Sequence, residues 1–373
     1  MTLNLAVVAG DGTGKEVVRE ALRVLNAAAQ AHGLEVRKTE FPFGGEHYLK
    51  TGKVLDDSDL VELRKFDAIL LGAVGHPDVK PGILERGLLL KMRFELDQYI
   101  NLRPVKLYPG VETPIKGKGP DEIDFVVVRE NTEDLYCGNG GIARKGTPHE
   151  ISTQEMIATR FGVERCVRFA FDLASKRPRG QLTLVHKTNV LTYCGDTWFR
   201  TFNEVGEADY PRVERQYHHV DACCMYMATR PEIYDVIVVP NMFGDIITDL
   251  GAAVAGGMGI AASGNLNPAF DPADATTGGP SMFEPVHGSS PDIAGQDKAN
   301  PLAAIDTVGL LLRETGRVRG DSKMVSAGEH IAAALLRVTP HFEGKQLDRS
   351  GYRTTQIGQM VVDALASTTA GAR

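Results

Sequence analysis

Short apolar runs alternate along the chain with longer stretches of mixed character. "LNLAVVAGDGTG" is a continuous apolar run ending in glycines, and from Lys15 onward Val17, Val18, Ala21, Leu22, Leu25, Ala28 and Ala29 recur at helical spacing. This predicts strand, tight turn and helix. Comparable runs return at "FDAILLGA" (66–73), "IDFVVVRE" (123–130), "QLTLVHKT" (181–188) and "YDVIVVPN" (234–241), separated mostly by segments of helical length. Alternation of this kind predicts an α/β fold with a mainly parallel sheet and helices on its faces. "YPGVETPIKGKGPDEID" (108–124) reads as a connector between subdomains, and "SGNLNPAFDPADATTGGPS" (263–281) as a long surface loop. The tail from Ser322, with "AGEHIAAALLRV" inside it, reads as helical.

A chain of 373 residues exceeds one ordinary domain and has material for a large core. Hydrophobic residues at 43% and charged ones at 24% fit a soluble globular protein. A formal net charge of -7 leaves no basic footprint for a phosphate backbone, so nucleic acid is not an expected partner. No charged leader precedes the first apolar run, and "LGAAVAGGMGIAA" is too short and Gly-rich to cross a bilayer. A cytoplasmic protein without a membrane partner is expected. Cys137, Cys166, Cys194, Cys223 and Cys224 form no C-x-x-C pair and are expected to be reduced.

Ligands of open α/β sheets bind beyond the carboxyl ends of strands, so polar residues just after the apolar runs are the first candidates. Arg129 follows "FVVV", Lys187 follows "LTLVH", and "NMFGDIITDL" begins right after "DVIVVPN". That last segment sets Asp245 and Asp249 four positions apart on one helical face, where like charges repel by a few tenths of a kcal/mol, roughly. Either the face is wet, with Phe243, Ile246, Ile247 and Leu250 packed opposite, or a hard divalent cation turns the repulsion into binding. Asp221 is a third candidate ligand. Arg93, Arg103 and Arg129 offer guanidinium forks for small carboxylates. The "GDGTG" turn misses both nucleotide patterns: Lys15 stands where the dinucleotide fingerprint wants Gly, and only three residues separate Gly10 from Gly14 where the phosphate loop wants four.

Taken together, "AGDGTGKEV", "RGLLLKMRFELDQYINLRPVKLYPGV", "VVVRENTEDLYCG", "LVHKTNVL", "NMFGDIITDL" and "FEPVHGSSPDIAGQDKANP" resemble the metal-dependent decarboxylating dehydrogenases of isocitrate and isopropylmalate. The resemblance spans nearly the whole chain, in order. It implies two α/β domains around a central cleft, without a Rossmann fingerprint: a large domain of residues 1–100 and 254–373 with most of the NAD site, and a small domain of 101–253 with the dimer interface. The site of a homodimer of this kind is shared between subunits. By this resemblance Arg93, Arg103 and Arg129 hold the malate carboxylates, and Asp245 and Asp249 bind Mg²⁺ or Mn²⁺. Asp221 of the neighbouring chain completes the metal site beside the substrate. Tyr136 and the neighbouring chain's Lys187 move protons, Tyr136 reprotonating carbon.

The same resemblance implies that His287, Gly288, Ser289, Pro291, Asp292, Ile293, Ala294 and Asn300 line the cofactor side. Asp292 suits the ribose diol of NAD and would repel the 2′-phosphate of NADP. Isocitrate enzymes carry Ser and Asn where this chain has Gly87 and Leu89, which together with Leu90 make a pocket suited to an isopropyl group. The expected reaction is oxidative decarboxylation of isopropylmalate in leucine biosynthesis. The wording "RENTEDLY" resembles isocitrate, homoisocitrate and tartrate or malate members, which sets the alternative: tartrate, D-malate or homoisocitrate as substrate.

Overall fold

The computed structural model describes residues 2–343 and 351–369. The chain divides into two compact units, unit 1 of Met1–Gln98, Lys106–Pro120 and Ala252–Arg373, and unit 2 of Tyr99–Val105 and Asp121–Gly251. Unit 1 opens with β1 (Thr2–Gly10), β2 (Glu35–Glu40) and β3 (Ala68–Ala73). Unit 2 carries β4 (Ile100–Lys106), β5 (Asp124–Glu130), β6 (Gly140–Ala143), β7 (Ile151–Gln154), β8 (Gln181–His186), β9 (Glu214–His219) and β10 (Val236–Val239). The chain then returns to unit 1 for β11 (Ala262–Leu266) and β12 (Ser281–Pro285).

In unit 1 the strands run in the order β2-β1-β3-β12-β11, parallel except for the β11–β12 pair. β3 is buried along its whole length, as a parallel strand covered on both faces must be. The Gly14–His32 helix packs Val17, Val18, Ala21, Leu25 and Ala28 inward at helical period and stops at Gly33, whose φ of 64° supplies the left-handed cap. The Leu302–Arg319 helix is apolar on most sides and buried. It meets the Ser322–Val338 helix through a glycine contact so close that a Cβ on Gly328 would lie 2.6 Å from the Gly309 carbonyl oxygen.

Unit 2 orders its strands β4-β5-β10-β8-β9, parallel from β5 through β10 and β8 to β9, and adds an antiparallel β6–β7 hairpin with every residue exposed. Its register sets the chemistry. Val239 of β10 pairs with Arg129 of β5, and His186 of β8 pairs with His219 of β9. The residues next along these strands, Glu130 and Pro240, Lys187 and Val220, therefore lie side by side at the carboxyl ends.

Two expectations need correction. Residues 106–120, assigned by sequence to the small domain, pack with unit 1, as do 252 and 253, whereas Tyr99 and Ile100, assigned to the large domain, fall in unit 2. Tyr108 Oη donates to Asp306 at 3.1 Å, Thr113 Oγ1 donates to the Val254 carbonyl at 2.7 Å, and Val111 fills the space a Cβ on Gly256 would need. The stretch 263–281 is not all surface loop: β11 is buried from end to end, its pairing with β12 satisfying the backbone of a segment whose Gly, Asn and Pro content reads as a turn.

Candidate active site

At the carboxyl end of β5, Arg129 is 1% exposed, and its guanidinium bonds two residues of the Asn241–Val254 helix. Nε donates to Asn241 Oδ1 at 2.9 Å, and Nη1 donates to Asp245 Oδ1. The other oxygen, Asp245 Oδ2, accepts the Tyr136 hydroxyl at 3.0 Å, and the Arg129 guanidinium lies 5.2 Å from the Tyr136 ring centroid. Burial pushes the Asp245 carboxyl upward. The Arg129 charge, the Tyr136 hydroxyl and the Arg103 charge outweigh that and hold it below its ordinary range. Asp245 is thus ionised and oriented. Arg103 itself lies inside unit 2 with Nε donating to Asn101 at 2.9 Å.

The helix carries its carboxylates on a face that is only partly wet. Ile247 is buried and Phe243 and Leu250 are half-buried, but Ile246, expected to pack opposite, is 50% exposed. The buried side is supplied instead by small and polar residues, Asn241, Gly244 and Thr248, because Arg129 lies directly under Gly244. Asp249, one turn beyond Asp245, is exposed.

Lys187 and Asp221 meet at 2.5 Å within one chain, a direct result of the parallel β8–β9 register. Asp221 accepts this bond and one from its own backbone N–H, which lower its carboxyl pKa. Among the described residues of one chain no three His, Cys, Asp or Glu side chains converge as a metal cage, so Asp221 does not join Asp245 and Asp249 within the chain. The two α-helical carboxylates fit part of the oxygen-rich set a hard divalent cation takes.

In unit 1, Arg93 is buried, with Nη2 3.2 Å from Glu284 Oε1 and Nε without a hydrogen-bond partner. Leu89 and Leu90 fall in a π-helical turn, Glu85–Leu90, and are half-buried. Leu89 packs against the core that includes Leu88 and Met92, so its side chain is shared between core and surface. A Cβ on Gly87 would meet Val54 at 3.1 Å, leaving little room for a larger polar residue there.

The cofactor candidates follow β12. Ser289 O accepts the Thr13 N–H at 2.8 Å and the Thr13 hydroxyl at 3.1 Å, which pins the segment to the "GDGTG" turn. Gly12, at φ 54°, lies so close to that carbonyl that a side chain would collide with it. Glu16 accepts from Gly295 N at 2.8 Å and Asp297 N at 2.9 Å. Asp11 accepts from Gly45 N at 2.8 Å and Gly75 N at 3.0 Å. These holders of the loops, Asp11, Thr13 and Glu16, were not singled out by sequence reasoning. Their signal was the acid and hydroxyl inside the glycine turn. His287 Nδ1 faces the Gly288 carbonyl at 3.1 Å, which makes it the protonated nitrogen, and burial lowers the ring's pKa. His287 Nε2 and Asn300 Nδ2 are buried without a hydrogen-bond partner, an acceptor and a donor left over on one segment. Pro291, Asp292 and Gly288 are exposed, and Ile293 and Ala294 half-buried.

Sequence reasoning also passed over the carboxylates of "RENTEDLY". Glu130, 1% exposed, accepts from Thr132 N at 2.7 Å, Thr132 Oγ1 at 2.9 Å and Glu133 N at 2.9 Å. Glu133 holds Thr159 through its N–H at 2.9 Å and its hydroxyl, at the start of the Arg160–Lys176 helix. Asp134 accepts from Met242 N at 2.7 Å and Leu135 N at 2.8 Å. All three are committed to backbone groups of the scaffold.

A profile described as isocitrate/isopropylmalate dehydrogenase matches residues 4–361, and the chain belongs to that family. It is an oxidoreductase of the dehydrogenase class. It is 59% identical over 366 residues to the 3-isopropylmalate dehydrogenase of Thermobifida fusca (strain YX), covering 98% of each chain. It is 51% identical over 370 residues to the enzyme of that name from Streptomyces coelicolor, covering 99% of each. Among solved structures, isocitrate dehydrogenase from Methylococcus capsulatus superposes with a TM-score of 0.82 at 29% identity, over 97% of this chain and 99% of that one.

Proposed function

We propose that the chain catalyses the NAD-dependent and Mg²⁺- or Mn²⁺-dependent oxidative decarboxylation of 3-isopropylmalate to 2-oxo-4-methylpentanoate, in leucine biosynthesis, as a cytoplasmic homodimer with shared sites. The observation that carries this reading is the Arg129–Asp245–Tyr136 cluster. It joins an ionised carboxylate on the helix to a tyrosine hydroxyl in a proton-donating position.

When bound, the cation supplies positive charge at the oxidised oxygen and NAD accepts the hydride. Asp245 and Asp249, with the partner subunit's Asp221, would hold the cation. Arg93, Arg103 and Arg129 orient the substrate carboxylates. Nζ of the partner subunit's Lys187 would take the hydroxyl proton on C2. The bond from C3 to its carboxylate then breaks, CO₂ departs, and the electron pair stays on the C2–C3 fragment until Tyr136 Oη returns a proton to C3. The unpaired acceptor on His287 and donor on Asn300 fit the polar edge of an adenine base. Asp292, exposed at the same segment, fits a ribose diol.

Three observations support the substrate and the dimer. Relatives at 51% and 59% identity carry the name 3-isopropylmalate dehydrogenase. The acids of "RENTEDLY" are committed to backbone groups, so this wording does not favour a more polar substrate. Finally, the segments bearing Lys187, Asp221 and Asp245 each present uncovered apolar side chains: Val190 and Tyr193, Met225, and Met242 and Ile246. The test is NADH formation from 3-isopropylmalate before and after chelation. Activity should vanish with the chelator and return with Mn²⁺; turnover indifferent to chelation would refute the metal reading.

A further inference from the structure

Asp134 combines three properties rarely found in one aspartate. It is 2% exposed, its backbone is left-handed at φ 70°, and both carboxylate oxygens accept main-chain N–H groups. One of these belongs to Leu135, inside the Asp134–Cys137 turn that presents Tyr136; the other belongs to Met242, in the first turn of the helix that presents Asp245. The N–H of Asp134 donates to the Ile157 carbonyl at 2.9 Å, which ties the same point to the segment leading into the Arg160–Lys176 helix. A left-handed backbone at a residue with a side chain costs about 1 kcal/mol or more and persists only where surrounding bonds hold it. A carboxylate at a helix N-terminus is favoured by the unpaired N–H groups there.

We infer that Asp134 is a positioning residue that locks the Tyr136 turn to the start of the Asn241–Val254 helix, setting the reach of the Tyr136 hydroxyl to Asp245 and thereby to the reacting carbon. This rests on the proton-donor role of Tyr136 proposed above. Asp134 touches neither substrate nor cation: it acts through Tyr136. Without its carboxylate, Leu135 and Met242 keep their N–H groups but share no acceptor. The turn and the helix then move independently, and the 3.0 Å bond between Tyr136 and Asp245 loses its support.

The experiment uses three variants, alone and in a Tyr136→Phe background, with isopropylmalate, NAD and Mn²⁺. Asp134→Gly accommodates the left-handed backbone but removes the acceptor, Asp134→Asn accommodates it and keeps one acceptor, and Asp134→Ala removes both features. The expected result for Asp134→Gly is a loss in kcat of about tenfold or more, with KM and Mn²⁺ affinity within about threefold of the parent. Asp134→Asn should recover part of that loss, because its amide oxygen serves one main-chain donor while its amide nitrogen faces the other. In the Tyr136→Phe background, Asp134→Gly should change kcat by less than about twofold, because the group it positions is gone. A parent-like Asp134→Gly, a loss that multiplies fully onto Tyr136→Phe, or no recovery with Asn overturns the inference. If Tyr136→Phe alone retains parental kcat, the donor role fails and the inference falls with it; if the parent turns over but only the Asp134 pattern is absent, the donor role stands.

Discussion

Two buried groups next to the proposed site residues Arg129 and Lys187 respond to pH in opposite senses. Burial pushes the Glu130 carboxyl up to about 7, against its hydrogen bonds from Thr132 and Glu133. A folded pKa above the unfolded one means that Glu130's contribution to stability is complete below its ordinary 4.5 and is lost as pH rises through about 7. His186, enclosed near Trp198 and Phe243, is lowered by burial to about 4, so its contribution is present above 6.5 and is lost as pH falls through about 4. Between these limits the two slopes oppose each other. Thermal melts should therefore show Glu130→Gln gaining on the parent as pH rises from about 5 to 8, and His186→Leu gaining as pH falls from about 7 to 4. A constant offset for either variant across its range would show that the residue keeps its ordinary titration.

The helix that carries Asp245 depends on a missing side chain. A Cβ on Gly244 would lie 2.5 Å from Arg129 Cγ, so Gly244→Ala forces Arg129 away from Asp245. The expected cost is about 1–3 kcal/mol in urea melts, with a fall in kcat from the loss of the charge that holds Asp245 ionised. Parental stability and rate would mean that Arg129 relaxes freely. The helix itself was legible in the sequence, as were β1, β3, β5, β8 and β10, because each is a continuous apolar run and parallel strands must be apolar on both faces. β2 and β9 were missed: polar strands such as "EVRKTE" and "ERQYHH" carry no such signal. β11 was lost to its Gly and Asn content. At the site, Arg129, Lys187 and Asp245 could be read from their places after strands. The scaffold roles of Glu16, Glu130 and Asp134 could not, since they bond to backbone groups brought close only by folding.

At the scale of the whole molecule, the proposed function makes the site a property of two subunits, because Lys187 pairs with Asp221 inside one chain and Asp221 forms no metal cluster with Asp245 and Asp249 among the described residues. If so, Lys187→Ala chains and Asp245→Asn chains, each inactive alone, should regain up to about a quarter of parental activity when unfolded and refolded together, since half of random dimers contain one intact site. No recovery, despite heterodimers seen by native mass spectrometry, would place both residues in one subunit's site. In the proposed function the apolar turn at Leu89, packed against the core of unit 1, bears on the choice of substrate. The most direct measurement is a steady-state panel of 3-isopropylmalate, D-malate, tartrate, homoisocitrate and isocitrate, each with NAD and with NADP at saturating Mn²⁺. The highest kcat/KM should fall to 3-isopropylmalate with NAD, and Leu89→Ala should reduce it more than the value for D-malate; a higher value for any other acid, or for NADP, would contradict the account.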